Sequence, residues 1–275
     1  MSQLLVKRSL NIRGKIIEFK KPKVMGILNM TPDSFYDGGK FNSFEEAKKR
    51  VDLMIKEGAD IVDIGGCSTR PGSESISAKE EWIRIKDIIN YSIKMYPSIL
   101  FSVDTFRSEV AEKSLDIGID FINDISGGTI DSNMLNIVSK YKVPYVLMHI
   151  KGTPKDMMMK TNYNHLINDI ITYFQKKILL LNDHDINDII LDPGFGFAKD
   201  YDQNYEILYN LNILNIFNMP ILVGLSRKSF VKKKYGIDNS MKGTLILNQD
   251  AINKGADIIR VHDVKEHVKL VSKLY

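Results

Sequence analysis

Short runs of β-branched and other apolar residues alternate along the chain with longer stretches whose apolar positions recur every three or four residues. The runs fall at 24–28, 60–64, 99–103, 120–122, 143–148, 188–191, 220–224 and 257–261, and they end in polar or glycine-rich residues. The longer stretches predict helices at 43–57, 78–95, 107–117, 134–141, 163–182, 201–216, 241–254 and 264–274. Ser43-Phe-Glu-Glu predicts a capped start for the first helix, and Gly58 predicts its end. The strands are continuously apolar, as expected where both faces of a parallel sheet are buried. Eight strand–helix units over residues 24–275 average about 31 residues each, which predicts an α/β fold of the (β/α)8 TIM-barrel type. A doubly wound open sheet would gather its polar signatures at one switch point, whereas here they follow nearly every strand. Residues 9–20 alternate around Asn-Ile-Arg-Gly and predict a short N-terminal β-hairpin capping the lower end of the barrel. The expected division is an extension over 1–22 and a barrel over 23–275.

Composition supports this picture and narrows the setting. The 275 residues are 44% hydrophobic, ample for one large core. A single cysteine, Cys67, excludes a disulfide framework and fits a reducing compartment. No apolar run approaches the roughly 18 residues of a membrane span. The first residues lack the apolar core of a signal peptide, so a soluble, cytoplasmic protein is expected. The net charge of +4 is mild, and the compact basic run Lys232-Lys233-Lys234 reads as a solvated helix face. No nucleic-acid or membrane partner is expected.

In such a barrel, chemistry sits where the strands end. Asn29 ends the first strand and could offer its oxygen to a hard cation, or close an Asx-turn on its own backbone. Gly65-Gly-Cys-Ser-Thr-Arg-Pro-Gly72 follows the second, with Ser68, Thr69 and Arg70 as anion donors and Cys67 as packing. Asp104, Asn123 and Asp192 follow three further strands; each could cap a helix, but three buried together call for a ligand rich in N–H donors. Phe195 and Phe197 could supply an aromatic wall. Ser226, Arg227 and Lys228 concentrate anion-binding groups after strand seven. After strand eight, alternation points Arg260 and His262 the same way, a two-pronged cation for phosphate; a metal is the rival reading of His262. His149 reads equally as a core histidine or a catalytic one.

These motifs carry a resemblance. Gly-Ile-Leu-Asn-Met-Thr-Pro-Asp-Ser-Phe, Gly-Gly-x-Ser-Thr-Arg-Pro-Gly, Ser-Val-Asp-Thr, Asn-Asp-Ile-Ser-Gly-Gly, Asp-Pro-Gly-Phe-Gly-Phe, Ser-Arg-Lys-Ser-Phe and Arg-Val-His-Asp-Val occur in order from about Val24 onward. Together they closely resemble the bacterial dihydropteroate synthase family. The resemblance implies a homodimeric (β/α)8 enzyme that joins 6-hydroxymethyl-7,8-dihydropterin diphosphate to 4-aminobenzoate, releasing pyrophosphate. By motif it implies that Asp104, Asn123, Asp192 and Lys228 hold the pterin with Met148 alongside, and that Asp104, Asp192 and Lys228 serve catalysis. It implies Mg²⁺ at Asn29, diphosphate at Thr69, Arg260 and His262 around Val261, and closing loops that contain Asp33 and Arg70. Ser226 and Lys228 would border the aminobenzoate pocket, with Phe197 as part of the substrate wall. Cys67, Ala198 and Ile150-Lys151 depart from the family pattern without touching these positions. A pterin-binding methyltransferase barrel and a catalytically silent barrel are the alternatives; the anion-binding motifs and the intact Asp192 and Lys228 argue against them.

Overall fold

A computed structural model describes residues 8–31, 40–68 and 76–275, the side chains of 40–43 excepted. The hairpin strands are β1 (Ser9–Ile12) and β2 (Lys15–Glu18). Eight parallel strands follow: β3 (Lys23–Asn29), β4 (Ile61–Gly65), β5 (Leu100–Asp104), β6 (Phe121–Asp124), β7 (Tyr145–Met148), β8 (Ile189–Asp192), β9 (Leu222–Val223) and β10 (Ile258–Val261). Their order, β8-β7-β6-β5-β4-β3-β10-β9, brings the first and last members together. A Leu191–Ile221 bridge, with the Leu191 N–H donating to the Pro220 carbonyl at 2.8 Å, closes the circle. The predicted barrel is therefore the fold, and the open doubly wound sheet is excluded.

The helices are α1 (Lys40–Lys56), α2 (Ala78–Met95), α3 (Ser108–Ile117), α4 (Met134–Tyr141), α5 (Leu166–Asp183), α6 (Tyr201–Tyr209), α7 (Ser229–Tyr235), α8 (Ser240–Asn253) and α9 (Val264–Leu274). Gly58 ends α1 as predicted, at φ +96° with its N–H on the Ile55 carbonyl. Ser43 does not cap that helix, which already runs from Lys40. The stretch predicted as one helix over 201–216 divides after Tyr209, and 3-10 turns continue from Leu211 to Phe217. At the division the Asn210 side chain takes the Glu206 carbonyl at 2.8 Å, the competition by which asparagine unsettles a helix. Helix α5 starts three residues later than predicted; Tyr163 instead reaches across to the Ala198 carbonyl at 2.9 Å.

Two apolar layers hold the barrel. One lies between sheet and helices, with Val24, Leu28, Val62 and Ile64 facing outward onto residues such as Val51, Ile85 and Ile89. The other fills the lower interior, where Met25, Ile61, Phe121, Val146, Ile190, Leu222 and Ile258 meet Leu10 and Ile12 of the hairpin. The hairpin turns at Arg13-Gly14, both at positive φ, the geometry that two-residue turns require to match strand twist. Arg8 fastens it, ion-paired to Asp257 and donating to the Gly255 carbonyl at 3.0 Å. Polar side chains take over toward the carboxyl ends, where strand register sets Asn29, Gly65, Asp104 and Asn123 side by side across β3–β6. Met148 and Asp192 pair likewise across β7 and β8. Because Ile12 is a plug and not part of the mouth, Ile12→Ala should cost about 2–4 kcal/mol, read as a lower urea midpoint.

Candidate active site

The strand ends surround a cavity of about 780 Å³. Asp104, Asn123, Met148, Asp192, Phe197, Ser226, Lys228, Arg260, His262 and Asn29 all line it, so these sequence-predicted side chains are brought together. Val261 is not among them: it points outward and is fully buried in the layer between sheet and helices. Thr69, Arg70 and Asp33 lie outside the described residues.

One wall is an ion network. The Arg260 guanidinium bridges two acids, through Nε to Asp63 at 2.6 Å and through its terminal nitrogen to Asp104 at 2.8 Å. Asp63 is completely buried and also accepts from Ser102 Oγ at 2.6 Å and Asn123 Nδ2 at 3.0 Å. Sequence reasoning missed Asp63. Its signal was a lone acid in the apolar strand Ile-Val-Asp-Ile-Gly, which alternation turns inward below the strand end. Burial pushes the Asp104 carboxyl up to about 7, despite the opposing pull of Arg260 and with help from the charge on Asp63.

The opposite wall comes from the chain after β8. Asp192 is raised by burial, while Lys228 draws it down and the Gly194 N–H donates to its Oδ1 at 2.7 Å. The Lys228 ammonium donates to the Phe195 carbonyl and sits 4.5 Å above the Phe197 ring, a cation–π contact. Burial lowers that ammonium to about 8, although Asp192 pulls the other way. Gly196 at φ +76° makes this approach possible, since a Cβ there would come within 2.9 Å of Lys228 Cδ. Ala198 also holds positive φ, +50°, a conformation that costs an L-residue about 1–2 kcal/mol. Its methyl group packs with Ile125, Met148, Ile150 and Met157, which also places the Ile150 departure in an apolar cluster.

The third side holds Ser226 and His262, whose Oγ and Nδ1 are 2.9 Å apart. Arg260 and His262 share a face as alternation predicts, but they are not a pair of cations. Burial, and then the charges of Arg260, Arg227 and Arg50, push His262 down to about 4, so it is neutral near pH 7. An anion placed beside it would reverse part of that shift. Arg227 also lines the cavity but is engaged in a bidentate pair with Asp263, its backbone at φ +55°. In the lysine run, Lys232 reaches the cavity rim, while Lys233 and Lys234 lie 4.4 Å over the rings of Tyr201 and Tyr205. Cys67 forms part of the wall, and burial raises its thiol, which suits packing over nucleophilic attack. His149 is buried against Tyr173 at 4.8 Å and held neutral by that burial, away from the cavity lining.

Carboxylates and an amide on facing walls of a barrel mouth, with Lys228 and Arg260 beside them, define a site for a nitrogen-rich heterocycle carrying an anion. The family described as pterin binding enzyme matches residues 25–262, and the chain belongs to it. Within that family its relatives are dihydropteroate synthases, transferases of folate synthesis, and the chain is one of their number. It is 44% identical over 251 residues to dihydropteroate synthase of Synechocystis, covering 90% of this chain and 86% of that one. It is 39% identical over 261 residues to the Escherichia coli enzyme, covering 94% and 92%. Among solved structures, Xanthomonas albilineans dihydropteroate synthase with 4-aminobenzoic acid superposes with TM-score 0.90 at 33% identity, covering 98% of this chain and 97% of that one. The Yersinia pestis enzyme with a sulfonamide drug does so with TM-score 0.91 at 38% identity, covering 97% and 98%.

The raised Asp104 carboxyl has a measurable consequence. A ligand that donates N–H groups to it, such as a 2-amino-4-oxopteridine, is favoured by the ionised form. Affinity measured by calorimetry should therefore strengthen as pH rises through about 7 and fall below it. Asp104→Asn should lose that dependence.

Proposed function

We propose that this cavity binds 6-hydroxymethyl-7,8-dihydropterin diphosphate and 4-aminobenzoate and joins them into 7,8-dihydropteroate, releasing pyrophosphate. The observation that carries the reading is the convergence of Asp104, Asn123 and Asp192 from three strands on one cavity that Lys228, Arg260 and His262 also line. The 2-amino-4-oxo edge of a pterin presents several N–H donors, which match two carboxylates and an amide oxygen. Met148 supplies an apolar face, and Thr69 joins Arg260 and His262 at the diphosphate. Ser226, Lys228 and Phe197 border the aryl amine, with Arg70 and the backbone around Val261 completing the substrate contacts.

The reaction in this reading begins with departure of diphosphate. The bond between the pterin's exocyclic carbon and the diphosphate oxygen breaks, and its electron pair leaves with that oxygen. The aryl amine then attacks the resulting cation and loses its surplus proton after the new C–N bond has formed. An aryl amine is neutral near pH 7, so the step needs no strong base, in keeping with a histidine held neutral. Ionised Asp104 and Asp192 favour the cation, and Arg260 offsets charge growing on the leaving group.

Asn29 offers one amide oxygen at the end of β3, and the described residues contain no group of three His, Cys, Asp or Glu that could hold a metal. One protein oxygen fits Mg²⁺ that arrives with the diphosphate, because this ion keeps waters and phosphate oxygens as most of its ligands. When bound there, it would neutralise charge on the departing pyrophosphate. By the same family likeness we place the protein in the cytoplasm as a homodimer.

Purified protein with Mg²⁺ and both substrates should form 7,8-dihydropteroate together with pyrophosphate; pyrophosphate without dihydropteroate when both substrates are present, or no turnover at all, would overturn the reading. Asp104→Asn should cut turnover at least a hundredfold while the melting curve stays cooperative. Wild-type turnover in that variant would remove Asp104 from the mechanism. Light scattering after size exclusion should give twice the chain mass.

A further inference from the structure

Lys199 is a buried lysine, 2% exposed, that forms no ion pair among the described residues. Burying an ammonium without a carboxylate at contact distance is costly, so its three donors must be well used. They are: Nζ donates to the carbonyls of Phe197 at 2.8 Å, Gly194 at 2.9 Å and His149 at 3.3 Å. These carbonyls belong to two separate segments, the end of β7 and the chain after β8. Those same segments carry Met148, Asp192 and Phe197 into the cavity.

Glycine makes the arrangement possible. At Gly194, φ +71°, a Cβ would meet the His149 carbonyl oxygen at 2.1 Å and Lys199 Nζ at 3.3 Å. The N–H of the same Gly194 donates to Asp192 Oδ1, so Lys199 grips the far side of the peptide segment that aims this carboxylate. The two glycines of Asp-Pro-Gly-Phe-Gly-Phe thus admit two lysines, Lys199 beneath the segment and Lys228 on its cavity side. Burial lowers Lys199 to about 7, Asp192 pulls it up and Lys228 pushes it down. Lys199, with Lys228 and Arg260, in turn draws Asp192 down.

We propose that Lys199 is a positioning residue: it ties the end of β7 to the chain after β8 and holds the Asp192 carboxylate, oriented and charged, toward the pterin. The inference rests on the pterin reading given above. It explains why a chain that could bury a methionine here buries a hydrogen-bonding amine instead. Lys199 touches no substrate and acts through Gly194 and Asp192.

The test compares Lys199→Met, Lys199→Gln and Lys199→Arg, with Tyr163→Phe as a control. Tyr163 anchors the same segment through the Ala198 carbonyl by a neutral hydroxyl. Lys199→Met should raise KM for the pterin diphosphate about tenfold, and Lys199→Gln at least threefold, while KM for 4-aminobenzoate, whose pocket Phe197 borders, rises by a smaller factor in both. Lys199→Arg should return within threefold of wild type, and Tyr163→Phe should stay within twofold. Wild-type pterin KM in either folded Met or Gln variant, or an equal rise for both substrates, would leave Lys199 a structural tie and overturn the proposal. Absence of turnover in the unmodified protein would instead bring down the parent reading, and this one with it.

Discussion

Three strands send charged groups to one point in the barrel mouth, where the Arg260 guanidinium lies between Asp63 and Asp104. Neither acid could be kept there alone, since an unpaired buried carboxylate costs several kcal/mol and would take up a proton instead. The arginine's planar fork meets both acids at once, and Ser102 and Asn123 donate to Asp63 as well. With that network in place, Asp104 can stand at the cavity edge with its ionisation poised near neutrality. Asn123 is oriented by the same acid, so one side of the heterocycle site follows from a single arginine.

The other side follows a different solution to the same problem. After β8 the chain turns through two glycines at positive φ, and each removes the Cβ that would block a lysine. Lys228 and Lys199 then approach from opposite sides and share the field of Asp192, whose own neighbour is a backbone N–H. Burial weakens every charge in this group, and the attraction between the lysines and Asp192 offsets part of that loss. A site built this way is preorganised for a ligand that changes its own charge during reaction, because its dipoles are already fixed.

Much of this was legible before any coordinates. Strand periodicity located all eight barrel strands, since parallel strands buried on both faces leave unbroken apolar runs. Polar residues just beyond those runs had to face the mouth, which found Asp104, Asn123, Asp192 and Lys228. Asp63 and Lys199 were not found. Asp63 lies inside a strand rather than after it, and nothing in one strand shows that Arg260 waits across the barrel. Lys199 follows the motif and looks like any surface lysine until the chain folds over it. The charge of His262 was misread for a related reason: burial sets it first, and the three arginines that add to it come from sites 2, 35 and 212 residues away in the chain.

The sequence by itself determined the architecture and the cast of the site, because hydrophobic period and strand-end position are local properties. Glycine placement belonged to it too, since only glycine enters the left-handed turns without strain. The tertiary structure alone decided which acids share Arg260, which lysine is buried, and which groups stay charged near pH 7. Those outcomes depend on desolvation and on charges brought within a few ångströms from distant parts of the chain, and neither exists until the barrel has closed.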